Sequence, residues 1–284
     1  MRSFAISSIT TLAVTVLVSG CMANQQQKPA ESAPPPVAAY QPNWDYKSTA
    51  SGQKLDVTLG IIAPQFSTGS QLYQQAYRDD DVVKGMLSAM RATFNVVLTA
   101  KGFSTTGPFD SLEEMTFPDK QGTDLVLYPE FDVQVEVKVD NVRNKAADKP
   151  AEPSGGGLFG NLVKLNNDAP QQQAPVAPAQ ICDVELSARG VVVFVAEEPL
   201  SKQKMWSKKV DVPNASQSFT GQEGPACDGK PAHWNQDIKN AWAKAHEAIF
   251  QETMKKFDAY VDGNEFKVLK QTGIEARKKT NFGG

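Results

Sequence analysis

Histidine is nearly missing from this 284-residue chain: His233 and His246 are the only two, and neither stands at a zinc-type spacing from any of the three cysteines. Catalytic signatures are missing too, since no GxSxG, HExxH, P-loop or dinucleotide fingerprint occurs. The adjacent carboxylates Glu113-Glu114 and Glu197-Glu198 diverge from each other in a helix or strand, so both pairs read as surface charge. His246, beside Glu247 in a predicted helix, reads as partly exposed, and His233 falls in the loop before that helix. This inventory predicts no enzyme, no metal and no cofactor. An excess of positive charge is also lacking, with 29 basic against 32 acidic residues, which predicts no nucleic-acid partner.

Long hydrophobic runs are confined to the first residues, where Arg2 precedes an apolar stretch from Phe4 to Val18 and then Val18-Ser19-Gly20-Cys21. The stretch is too short for a bilayer span and has the layout of a secretory signal. Val-Ser-Gly-Cys resembles the bacterial lipobox, which implies cleavage after Gly20 and diacylation of Cys21. Residues 1–20 are thus expected to be a lipoprotein signal peptide, and the mature charge becomes 28 − 32 = −4 once Arg2 is removed. Met22 follows the cysteine where an Asp would signal inner-membrane retention, so the expected location is the outer membrane, lipid-anchored, with the facing side open. The other two cysteines, Cys182 and Cys227, are most simply a disulfide in an exported protein, two buried thiols being the other possibility.

Residues 21–54 are rich in Gln, Pro, Ala and Ser and read as a disordered lipidated tether. Residues 55–284 read as a single domain. Val57 to Pro64 predicts a strand buried on both faces. Helix periodicity runs from Asp79-Asp80-Asp81 to Leu98, closed by Gly102 as a C′ residue. Phe103 to Pro108 predicts a short strand or turn, and Asp110 to Glu114 a helical turn ended by Pro118. Alternation through Phe131, Val133, Val135, Val137 and Val139 predicts a half-buried antiparallel strand, as does Ile181 to Glu197. Lys204 to Val212 is a third strand, reached by a hairpin at Glu198 to Ser201. The insertion 141–180 reads as disordered, with an apolar island at Leu158, Phe159, Leu162 and Val163 that is either a lid on the sheet or a patch for a membrane or partner. Trp234 to about Val261 predicts a long amphipathic helix stopped by Gly263, followed by a solvated basic tail. The expected fold class is α+β: an antiparallel (mixed) sheet with two long amphipathic helices packed on one face.

Four segments carry a family likeness: GIIAPQFS (60–67), EPSGGGLF (152–159), FVAEEPLSKQKMW (194–206) and NQDIKNAWAKAHEAIFQETMKKF (235–257). With them, the chain from about Leu59 to Lys279 resembles the neuraminyllactose-binding haemagglutinin family, lipoproteins also described as flagellar sheath adhesins. The resemblance implies a basic element for acidic sugars before the Glu-Pro segment, here Lys138, Arg143 and Lys145 interspersed with Asp140 and Asp148. The leading expectation is a non-enzymatic outer-membrane lipoprotein acting as a structural or assembly component of a cell-envelope machine, a flagellar sheath or a secretion complex. It implies the outer membrane and envelope proteins, or further copies of the chain, as partners. The alternative is a surface adhesin for sialylated or other acidic glycans.

Overall fold

A computed structural model describes residues 37–50, 53–144 and 180–282. Cys21, Lys145 and the island Leu158, Phe159, Leu162 and Val163 lie outside them. The sheet is built around two long strands, β4 (Leu125–Asn144) and β5 (Gln180–Glu197), paired antiparallel along nearly their whole lengths. Their odd and even positions respectively alternate as the sequence predicts, with Phe131, Val133, Val135, Val184, Leu186, Val192 and Phe194 in the main core. On the β4 side lie β1 (Thr58–Ile62), β2 (Gln65–Phe66) and β3 (Ser104–Phe109), all parallel contacts: β3 with β1, and β1 and β2 with β4. On the β5 side lie β6 (Lys204–Asp211) and β7 (Ala215–Glu223), which follow one another along the same edge of β5. The mixed α+β sheet is the expected class, with more parallel pairing than the alternation alone reveals.

Two helices cover one face, α2 (Asp81–Ala100) and α4 (Gln236–Tyr260). Asp80 caps α2, its side chain accepting from the backbone N–H of Val82 and Val83 at 3.0 Å each. Gly102 takes φ 92° just after the C-cap, and an added Cβ there would lie 1.9 Å from the Gln53 carbonyl, so only glycine fits. Between the helices and the sheet, Phe94 stacks edge-on to Phe257 at 4.6 Å, and Phe257 lies 4.8 Å from Phe194. A short helix, α1 (Gln71–Tyr77), precedes α2. Just before it, the Ser70 hydroxyl exchanges hydrogen bonds with both the N–H and C=O of Val133, taking the place of a strand partner where β2 ends.

Among the described residues the opposite face is covered at one end, by the crossover from β3 to β4. There Leu112 and Met115 pack on Ile62 and Val126 as a second, smaller core. The crossover differs from expectation: its helix is α3 (Phe117–Gly122), and Pro118 opens it instead of ending one. Thr116 and Asp119 form a reciprocal capping box, and a proline without N–H costs nothing in a first turn.

Two further differences matter for function. Gly263 does not terminate the chain's helices but begins α5 (Gly263–Phe282), because Asp262 accepts from the N–H of Asn264 at 3.0 Å and Glu265 at 2.9 Å. The basic residues of the expected solvated tail are therefore on a docked helix, with Phe266 fully buried against Phe103 and Trp206. Residues 37–50, inside the stretch expected to be a free tether, lie instead as an extended strap along α4. Cys182 and Cys227 form the disulfide, 45 positions apart in sequence and 5.6 Å between Cα atoms, closing the tip of β5 onto the turn after β7.

Candidate functional site

Three constellations of polar side chains stand out: a cleft on the open face of the sheet, the strap seam on α4, and a buried network around His246.

The cleft arises from the chain path. β1 sends the chain toward the helical face, β3 sends it across the opposite face, and a crevice remains where the two directions part. One wall is the crossover (Ser111, Leu112, Glu113); the other is the end of β5 and the hairpin into β6 (Glu197, Lys202, Lys204). Between them lie Ile62, Gln65, Tyr128 and Glu130, enclosing about 360 Å³. Glu197 is only 8% exposed, and burial pushes its carboxyl above the usual range even though the Tyr128 hydroxyl donates to it at 3.3 Å. Lys202 bridges to Glu113 at 3.2 Å, so the two walls touch across the mouth.

The hairpin wall is held from behind. Glu198, read from sequence as surface charge together with Glu197, is fully buried. Its carboxylate accepts from the N–H of Leu200 and Ser201 and from Arg277 Nε of α5. Burial alone would raise its pKa, but these donors outweigh it and hold the carboxyl below the usual range. Arg277 also donates through Nη2 to the Thr123 carbonyl, joining the hairpin, α5 and the start of β4. The two adjacent carboxylates do diverge at the end of β5, but the crossover and α5 cover both sides of the sheet there, so neither is surface charge.

The strap seam lies on the outward stripe of α4. Asn240 accepts from Tyr40 N at 2.7 Å and donates to the Ala38 carbonyl at 2.9 Å. Glu247 accepts from the Tyr40 hydroxyl and from Asn43 N at 3.1 Å. Gln251 donates to the carbonyls of Asn43 and Asp45 at 2.9 and 3.1 Å. Asp258 accepts from the Tyr46 hydroxyl (3.0 Å), Ser48 Oγ (2.9 Å) and Thr49 N (3.2 Å), and pairs with Lys101 at 3.0 Å. Burial raises the Asp258 pKa, but Lys101 and the strap donors overcome this and keep it depressed. Trp44 inserts edge-on against Phe250 at 5.5 Å. A signal for this seam exists in the sequence: Asn240, Glu247, Gln251 and Asp258 are spaced by 7, 4 and 7 residues, close to whole numbers of helical turns, and so form one polar line on an otherwise solvent-facing side.

The third constellation overturns the expectation of a partly exposed His246, which is fully buried. Its Nδ1 lies 2.8 Å from the Trp242 carbonyl, which can only accept, so Nδ1 carries the proton and Nε2 receives the Tyr73 hydroxyl at 2.7 Å. Burial lowers the imidazole pKa to about 4 and raises the phenol of Tyr73 above its ordinary value. Trp242 Nε1 in turn donates to the Asp80 cap at 3.1 Å, tying α1, α2 and α4 together. With His246 and Tyr73 buried at its centre, this network has the character of a structural rivet.

Of the residues expected to bind an acidic glycan, Lys138 and Arg143 are among the described ones, and each lies beside a carboxylate. Lys138 pairs with Glu136 at 3.4 Å and lies opposite Glu185; Arg143, five positions further along β4, is 3.8 Å from Asp183. A bidentate carboxylate clamp needs donors unspent and aimed at one point. Among the described residues no group of three or more His, Cys, Asp or Glu side chains could hold a metal ion. No helix among them is long and apolar enough to cross a membrane.

No protein-family model matches the chain, and no curated protein matches it. Among solved structures, the chain is similar to a neuraminyllactose-binding hemagglutinin homolog from Helicobacter pylori, 13% identical with a TM-score of 0.47, over 83% of this chain and 100% of that one. The relationship is a weak one, at the level of the fold.

Proposed function

We propose that the protein is a non-enzymatic, lipid-anchored component of the cell envelope, held at a membrane through Cys21 and presenting the open face of its sheet to a partner of an envelope assembly. The observation that supports this is the strap. Val37 is 37 − 21 = 16 residues from Cys21. Sixteen residues reach about 55 Å at full extension, so a strap-bound body stays within that distance of the lipid. The strap runs along the outer side of α4, while the sheet's open face, with the cleft, the half-buried Val191 and Val193, and the Gln134–Arg189 pair, lies on the other side of the body. An attachment on one side and an open polar-rimmed face on the other is the layout of a docking module.

The anchor and the docking face are tested separately. Cell fractionation should find the protein with the outer membrane and Cys21→Ala released from it. A photo-crosslinking residue at Arg189 or Lys209, on the open face, should trap a discrete adduct in living cells, whereas one at Lys255 on α4 should not. Membrane release without Cys21 but no adduct from any open-face position would leave the anchor standing and remove the docking role. Retention of Cys21→Ala in the membrane would remove the anchor.

A further inference from the structure

We infer that the cleft between the β3–β4 crossover and the β5–β6 hairpin binds a primary ammonium or guanidinium group carried on an aliphatic stem. The inference is independent of how the protein is anchored. It rests on the balance of charge and surface inside the cleft. Lys202 bridges to Glu113 at 3.2 Å, and the lining as a whole sets three carboxylates, Glu113, Glu130 and Glu197, against two ammoniums, Lys202 and Lys204. Neither Glu130 nor Glu197 forms an ion pair among the described residues, and Glu197 is more than nine-tenths buried beside the cleft with a single hydroxyl, that of Tyr128, donating to it. A carboxylate so placed gains more from a cation than an exposed one does, because little water competes for it.

The rest of the lining fits the stem of such a group. Ile62 and Leu112, both buried, give the cleft aliphatic surface, and the half-buried Tyr128 adds an aromatic ring to its lining. An anionic ligand would meet the reverse arrangement: it would add a fourth negative charge to Glu113, Glu130 and Glu197, with Lys202 and Lys204 to offset them. Burial holds the Glu197 carboxyl above its ordinary range although Tyr128, Lys204 and Lys202 act the other way, so a further cation close to it would favour its charged form.

Ligand-observed NMR on the full-length protein tests this with three probes: cadaverine, Nα-acetyl-lysine amide, and propionate as an anionic control. Both cations should show saturation transfer with dissociation constants of about 1 mM, the range one or two charge-assisted contacts support. Propionate should show none. Glu197→Gln, isosteric and uncharged, should weaken cation binding at least about tenfold. Glu130→Gln, on the more open side, should weaken it less and serves if the buried substitution lowers stability. Preference for cadaverine would identify a free diamine as the natural occupant; preference for the lysine amide would identify the side chain of a partner peptide. Equal cation binding by wild type and both variants, or stronger transfer to propionate than to the cations, would overturn the assignment.

Discussion

At the scale of single residues, the buried polar groups set the response of the fold to acid. His246 in the unfolded chain titrates near its ordinary value of 6.5 and in the folded protein at about 4. Between these values the unfolded state binds more protons, so stability falls as the pH is lowered through that window. A shift of this size corresponds to about 3 kcal/mol lost by pH 4 relative to neutrality. Urea denaturation at several pH values should show the decline, and His246→Gln should flatten it while lowering stability at pH 7. Glu198 and Asp258, both depressed, act in the same direction at lower pH, as each must be protonated and lose its donors. Arg277 offers a second case. Arg277→Gln leaves Glu198 buried without its cation and is expected to cost about 3 kcal/mol. The damage should be local in hydrogen exchange, with faster exchange in the β5–β6 hairpin and along α5. None of these partnerships is visible by spacing: Tyr73 and His246 are 173 positions apart and Glu198 and Arg277 are 79. Burial of a charged residue is decided by what the chain later lays over it, which alternation along one strand does not encode.

At the scale of elements, legibility depends on whether an element is held by an apolar face or by something else. β1, β4, β5, β6, α2 and α4 each bury a continuous stripe, and each lies close to where its periodicity puts it. β7 was not legible because Phe219 is its one sizeable apolar side chain; it pairs with β5 as an edge strand of Ser, Gln and Thr. α5 was hidden for a related reason. Its grip depends on Phe266 together with charged residues, Lys270 reaching Asp56 and Asp124 at 3.3 Å each, and charged residues read as solvated. The strap was hidden by its own composition, although the polar line on α4 that receives it was open to view. Asp258→Ala removes the acceptor for three strap residues, and Trp44 should then leave Phe250. The expected readout is a red shift of tryptophan emission and new protease cleavage within residues 37–50, with the global unfolding transition lowered by only about 1–2 kcal/mol. Gly190, at φ 133° with the Asp132 carbonyl 2.2 Å from where a Cβ would sit, marks the bend where β6 gives way to β7 along β5. Gly190→Ala should therefore destabilise the ribbon well beyond the ordinary cost of a surface substitution.

At the scale of the whole molecule, the α+β class and the disulfide were both within reach of the sequence, while the mixed pairing depended on which strands the crossovers join. Closing a 45-residue loop, the Cys182–Cys227 bond is worth about 4 kcal/mol in the chain-entropy account, so reduction should lower the unfolding midpoint without changing the core. The bond also has a consequence for how the molecule is partitioned. Both cysteines lie C-terminal to the 145–179 segment, so the backbone of that segment is the sole covalent link between residues 37–144 and residues 180–282. Yet neither half owns a complete interior: β4 and α2 belong to the first, β5 and α4 to the second, and each pair meets across the seam. A single cut in that segment should yield two polypeptides that elute together under native conditions and separate on a non-reducing denaturing gel. The chain is in this sense a ready-made split protein, whose halves report their own reunion by rebuilding one sheet.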